Sequence, residues 1–118
     1  MSKLLTNLIE RAERTGSANL NGRIIERDYG HVYKGDLEEK YHIDIHKNIL
    51  TFRHWGTETL KADLSTKKVI SFYGQSVSDR DSLNYLTNHF SLPYSFRWLP
   101  SKDEFQMINT ENKEITII

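Results

Sequence analysis

Residues 41–55 read YHIDIHKNILTFRHW and gather His42, Asp44, His46, Arg53 and His54 into one short stretch. Imidazoles and a carboxylate at alternate positions have the makings of a metal site. Two histidines at i and i+2 on a strand point to one face about 6.5–7 Å apart, and each nitrogen would reach a zinc ion at ~2.0–2.1 Å. The implied pairing argues the other way. If Lys47-Asn48 is a two-residue turn, His46 faces Ile49, Asp44 faces Thr51 and His42 faces Arg53. A guanidinium held beside a cation site is unhelpful, and it pairs naturally with Asp44 instead. On the other face Tyr41, Ile43 and Ile45 meet His54, Phe52 and Leu50, a coherent apolar layer. The expectation is a polar strand face that meets solvent or a partner and holds no metal, with His54 at the core edge near Tyr41. A one-residue slip would exchange the two faces.

A second group, Arg53, Trp55, Lys61, Lys67, Lys68 and Tyr73, interleaves basic and aromatic residues. Such mixtures can stack bases and neutralise phosphates. They also suit protein interfaces, where Arg, Trp and Tyr carry much of the energy, or an ordinary exposed sheet. A third group, Tyr94 to Pro100, is dense in aromatics, and alternation would bury Phe96 and Trp98, or Tyr94 with them, while leaving Ser95, Arg97 and Leu99 outward.

Signatures of catalysis are missing. The chain has no Gly-rich phosphate loop, G-x-S-x-G elbow or H-E-x-x-H. Ser76, Ser78, Asp79, Asp81 and His89 could be drawn as a triad, but Ser78 and Asp81 suit a helix cap and nothing supplies an oxyanion hole. Adjacent acids such as Glu38-Glu39 and Asp103-Glu104 would part to opposite faces of a strand. The reading is a non-enzyme with no catalytic residues, metal or cofactor.

The elements that position these groups follow from periodicity. Residues 2–15 form an amphipathic helix: Ser2 caps it, Leu4, Leu5, Leu8, Ile9 and Ala12 recur at helical spacing, and Gly16 sits where a left-handed C-cap belongs. Residues 17–39, punctuated by Asn19, Asn21, Gly22, Gly30 and Gly35, read as loops around one or two short strands, and as the place for a flexible functional loop. From residue 40 the period becomes two, giving strands through His46, over 49–54, 59–63 and 69–73. A second helix spans 78–90, with Ser78 as N-cap, Asp81 at N3, and Leu83, Leu86, Thr87 and Phe90 as its apolar stripe. Terminal strands follow at 94–99, 105–109 and 115–118. The sum is one α+β domain over residues 1–118, an antiparallel β-meander sheet of about five to six strands with two helices packed on one face.

Composition sets bounds on function. A chain of 118 residues has length for one core. It has no cysteine, which removes thiolate zinc sites and thiol nucleophiles and fits a reducing compartment. Sixteen basic and sixteen acidic residues balance, with the first 35 residues at +2 and the remainder at −2. Neither half has the footprint of a duplex-binding protein. No apolar run approaches the ~20 residues of a membrane helix, and no signal peptide is legible at the amino terminus. The expected location is cytoplasmic.

The run His54-Trp55-Gly56-Thr57, then Asp63, Phe72-Tyr73-Gly74 and Ser76 to Leu83 resembles small proteins of phages, plasmids and other mobile elements of low-GC Gram-positive bacteria. The resemblance covers roughly residues 54–90, and its motifs are structural: a turn, a core aromatic and a cap. It implies a binder of host machinery in the bacterial cell, of the kind that includes inhibitors of CRISPR nucleases. Expected contacts are Arg53, Trp55, Lys61 and Tyr73 on the sheet, with His42, Asp44 and His46 beside them. The partner would be a host protein, a CRISPR effector nuclease in the favoured form, and pairing of two copies into a homodimer is open. The alternative is an accessory factor that binds nucleic acid through Lys67 and Lys68 on a basic-aromatic sheet face.

Overall fold

The computed structural model describes residues 3–28 and 31–118, with the side chains of residues 5–21 and 39–118. The first element is helix α1, Lys3–Thr15, whose Leu5, Leu8, Ile9 and Ala12 are buried as the spacing predicts. Burying each of the larger three contributes about 1.5–3 kcal/mol. Gly16 ends the helix at φ +87, and its N–H donates to the Ala12 carbonyl at 2.7 Å. The Ser2 cap and the Leu4 side chain lie outside the described residues.

Strands β1 (Ser17–Asp28), β2 (His31–His46), β3 (Ile49–His54), β4 (Thr57–Asp63) and β5 (Lys68–Phe72) form one antiparallel sheet in that order. The Lys47-Asn48 turn has both residues at positive φ, and the β2–β3 register is the expected one, from His46 opposite Ile49 to Tyr41 opposite His54. Asp63 organises the next turn, its Oδ1 accepting from the Ser65 N–H, the Ser65 hydroxyl and the Thr66 N–H.

One expectation is corrected. Residues 17–39 are paired backbone for most of their length, with Ser17 opposite Asp44 and Asp28 opposite His31. The sequence shows only short strands here because the register shifts at Leu20/Asn21 and Arg23/Ile25, which interrupts the period-two pattern. Glycine and asparagine inside them then read as turns. The side chains of Glu26, Asp28, Ile24-Ile25 and Val32-Tyr33 lie outside the described ones.

Helix α2 spans Val77–His89, and its cap differs from the expected one. Ser76, not Ser78, is the N-cap: its Oγ accepts from the Asp79 N–H at 3.1 Å, and Asp79 Oδ2 accepts from the Gln75 N–H at 3.0 Å. The repeated Ser-x-x-Asp spacing at 76–79 and 78–81 allows either start, and the earlier one leaves Asp79 free to turn toward the sheet. Leu83, Leu86 and Thr87 are buried, and Phe90 packs at the edge of the core.

Strands β6 (Tyr94–Leu99), β7 (Glu104–Asn109) and β8 (Ile115–Ile117) make a separate three-stranded sheet, with a short 3-10 turn at Pro100–Lys102 between the first two. Asn84 on α2 seals the free side of β6, accepting from the Phe96 N–H at 2.7 Å and donating to its carbonyl at 3.1 Å. That satisfies an edge that would otherwise be unpaired. Phe72, Phe96 and Phe105 stack the two sheets together at ring separations of 5.6–6.3 Å. Both helices contribute to one core with Ile43, Leu50, Phe52 and Leu60. Among the described residues no helix is long and apolar enough to cross a membrane.

Candidate binding site

The outer face of β2 and β3 carries the residues that opened the sequence. His42 Nε2 lies 3.0 Å from Asp44 Oδ2, and its Nδ1 lies 3.1 Å from Glu39 Oε1. A carboxylate only accepts, so Nε2 donates to Asp44, while Nδ1 faces Glu39 in a contact that falls short of hydrogen-bond geometry. Burial works to lower the His42 pKa, but the neighbouring carboxylates of Glu39 and Asp44 outweigh it and hold the ring above 6.5. Asp44 is held below 3.8: partial burial opposes this, and the Ser17 hydroxyl, His42 and Arg53 prevail. Arg53 reaches Asp44 at 3.7 Å, the pairing that the register implied. The group ties β1, β2 and β3 together across the sheet. Among the described residues no group of three acids or histidines is arranged for a metal ion.

His46 is exposed, and with Asp44 and Lys61 it lines a wide depression beside Thr15 and Gly16. Trp55 and Tyr73 are elsewhere, at the end of the sheet, so the seven expected contacts divide into an outer-face group of five and an end group of two.

The end group borders a cleft of about 300 Å³ lined by His54, Trp55, Thr57, Thr59, Tyr73, Gln75, Ser76 and Asp79. Local sequence explains its parts. His54 lies at the end of β3 on the inner face, stacked on Tyr41 with ring centroids 5.0 Å apart, as expected for the core edge. Its Nδ1 lies 2.8 Å from Asp79 Oδ1, in a contact whose side chains are only 9% and 13% exposed. The carboxylate only accepts, so Nδ1 donates.

Between β3 and β4 the register shifts at Phe52/Arg53, so Arg53 opposes Glu58 and Thr59 is the extra residue. The bulge turns Thr59 inward next to Leu60, and both are buried. Thr59 is 2% exposed, and among the described residues its hydroxyl has no hydrogen-bond partner. A buried orphan hydroxyl costs about 1–3 kcal/mol. Its carbonyl is used, accepting from the Tyr73 N–H at 2.9 Å.

Trp55 and Gly56 form the β3–β4 turn with φ of 51 and 80. Two positive values define the hairpin turn that favours Asn-Gly. A tryptophan there is strained by about 1–2 kcal/mol, and the residue is nonetheless 41% exposed. Tyr73 is 39% exposed across the cleft.

The His54–Asp79 pair and Thr59 were not legible as a site. The partners stand 25 positions apart, and the bulge that aims Thr59 leaves only one mark in the sequence, the doublet Thr59-Leu60 where alternation would place one inward residue. His89 is not near the pair: it lies at the far end of α2 and contacts Glu13 of α1 at 3.0 Å. Of the two lysines of the nucleic-acid reading, Lys67 donates to the Phe90 carbonyl at 2.9 Å, at the end of α2, and Lys68 is exposed. In comparisons with protein-family models, curated proteins and solved structures, nothing matches this chain.

Proposed function

We propose that the protein is a non-enzymatic module that binds a protein partner stoichiometrically through the rim formed by Trp55 and Tyr73. The observation that carries this reading is Trp55: a large ring, exposed, held on a left-handed backbone where asparagine or glycine would sit without strain. Strain of this kind persists where surrounding structure maintains it and gathers at functional sites. Exposed Trp and Tyr anchors, with Arg53 nearby on the outer face, are the residue types that dominate binding energy at interfaces. Lys61, His42, Asp44 and His46 would form the polar margin on that face.

The resemblance over residues 54–90 supplies the context: a mobile-element protein in the cytoplasm of a bacterial host, acting as an inhibitor of a CRISPR-type defence nuclease. Balanced charge fits an inhibitor that locks a protein surface and does not fit one that mimics DNA. The test is affinity capture of the tagged protein from lysate of a Gram-positive host carrying CRISPR loci, with and without nuclease digestion. One dominant nuclease retained at near-equal stoichiometry after digestion supports the reading, and a cleavage assay follows. Loss of every captured protein on digestion would remove it in favour of nucleic-acid binding.

A further inference from the structure

We infer that the open edge of β8 takes a second copy of this chain, the two β8 strands pairing antiparallel about a two-fold axis at Thr116. Neither Trp55 nor Tyr73 is needed for this contact, so it stands or falls separately from the partner-binding rim.

β8 is the outer strand of the three-stranded sheet, paired with β7 on one side and with no described strand on the other. The phase of that pairing fixes which backbone groups are free. The Asn109 N–H donates to the Glu114 carbonyl at 2.8 Å, and the Ile118 N–H to the Phe105 carbonyl at 3.3 Å. Hydrogen-bonded positions alternate along an antiparallel pair. Thr116, in phase with Glu114 and Ile118, therefore bonds β7, and the N–H and C=O groups of Ile115 and Ile117 point to the open side.

The other edges are blunted. Asn84 seals β6, two register shifts interrupt β1, and β5 opens on Lys68 behind Lys67 and is shifted against β4. β8 has none of these devices. Ile115-Thr116-Ile117 is uncharged, β-branched throughout and exposed along its length, with Ile115 and Ile117 at 55% and 52%.

A row of free backbone groups calls for another strand, and the side chains select this chain's own. Ile-Thr-Ile reads the same in both directions, the self-complementarity that a two-fold contact needs. With Thr116 on the axis, Ile115 lies opposite Ile117 of the second copy. Both have outward groups, so they exchange two hydrogen bonds, and symmetry supplies two more. A slip of one residue sets outward groups against inward ones and loses them all. The isoleucines of the two copies then gather on the face that carries Ile108, and the two Thr116 side chains meet on the other as a favourable cross-strand pair. The chain is formally neutral, so two copies approach without net repulsion. So short a strand buries less than the ~1,000 Å² of a stable interface, which makes the dimer weak, with a Kd on the order of 100 μM.

The experiment follows the isotopically labelled full chain by sedimentation velocity and amide hydrogen exchange at concentrations on both sides of that value. Expected is a reversible monomer–dimer equilibrium in which the Ile115 and Ile117 amides gain more protection with concentration than the Thr116 amide does. Ile117→Pro removes an outward donor and no bond to β7, so it should keep the fold and weaken the dimer by roughly ten-fold or more. Two charge variants test the register without proline. Ile115→Lys/Ile117→Lys sets lysine against lysine across the axis and should be monomeric, whereas Ile115→Glu/Ile117→Lys sets opposite charges together and should dimerise. A chain monomeric at every concentration, a dimer that survives the double lysine variant, or equal behaviour of the two charge variants would each overturn the inference. So would a monomeric chain whose captured partner is lost with Ile117→Pro, since the edge would then take a foreign strand.

Discussion

Two residues decide most of the local chemistry. Thr59 carries a hydroxyl buried without a partner among the described residues, and valine keeps its shape and β-branching while removing the orphan oxygen. Thr59→Val should therefore raise stability by about 1 kcal/mol, read from chemical denaturation midpoints; a loss of that size would mean that the hydroxyl has a partner after all. His42 makes a second prediction. Its folded pKa lies above 6.5 because Glu39 and Asp44 outweigh burial, so the folded state binds the proton more tightly than the unfolded chain. The stabilisation is whole below pH 6.5 and fades as pH rises through the folded value. NMR titration of the ring should give a midpoint above 6.5, falling toward it in Asp44→Asn. Asp44 acts with the opposite sign, its contribution being whole above pH 3.8 and lost as pH falls through its lowered folded value. A His42 midpoint unmoved by Asp44→Asn would contradict the pairing.

At the scale of elements, the start of α2 and the link that precedes it can be tested directly. Ser76→Ala should destabilise by about 0.5–2 kcal/mol, whereas Ser78→Ala, which removes no capping oxygen, should stay close to native stability; the reverse order would restore the cap two residues later. Gly74 lets the β5–α2 link pass against the second sheet, since a Cβ there would meet ring atoms of Phe105 at 2.5–2.9 Å. Phe105 is 2% exposed and packs on Phe72, Phe96 and Trp98, so Gly74→Ala should cost about 1–3 kcal/mol in denaturation. These elements also show why some of the fold was legible and some was not. Tyr41 to His54 alternates cleanly about a two-residue turn, so its register followed from one assumption. β1 and the start of β2 hide behind register shifts, because a bulge breaks the very period by which a strand is recognised. The division of the strands into two sheets rests on the contacts of Phe72, Phe96 and Phe105 and on Asn84 beside Phe96, which are long-range and leave no periodic trace. For the site, Trp55 and Tyr73 stood out as residue types, but the cleft they border needed the fold to bring Asp79 to His54.

The whole molecule is a slab of 48 × 39 × 20 Å, about two layers thick, with no net charge. A partner met without long-range steering should bind with little dependence on salt, whereas binding to nucleic acid through Lys67 and Lys68 would fall steeply as salt rises. The strained turn offers a clean separation of folding from binding. Trp55→Asn creates Asn-Gly at a turn that favours it, so this variant should melt at or above the native temperature while its contact surface is lost. The most direct measurement is a side-by-side capture at low and high salt with the native protein, Trp55→Asn and the double variant Lys67→Glu/Lys68→Glu. One dominant bound protein, retained at both salts by the native chain and the lysine variant and lost with Trp55→Asn, is the predicted result. Undiminished capture by Trp55→Asn, or loss confined to the lysine variant and to high salt, would contradict a protein interface built on Trp55.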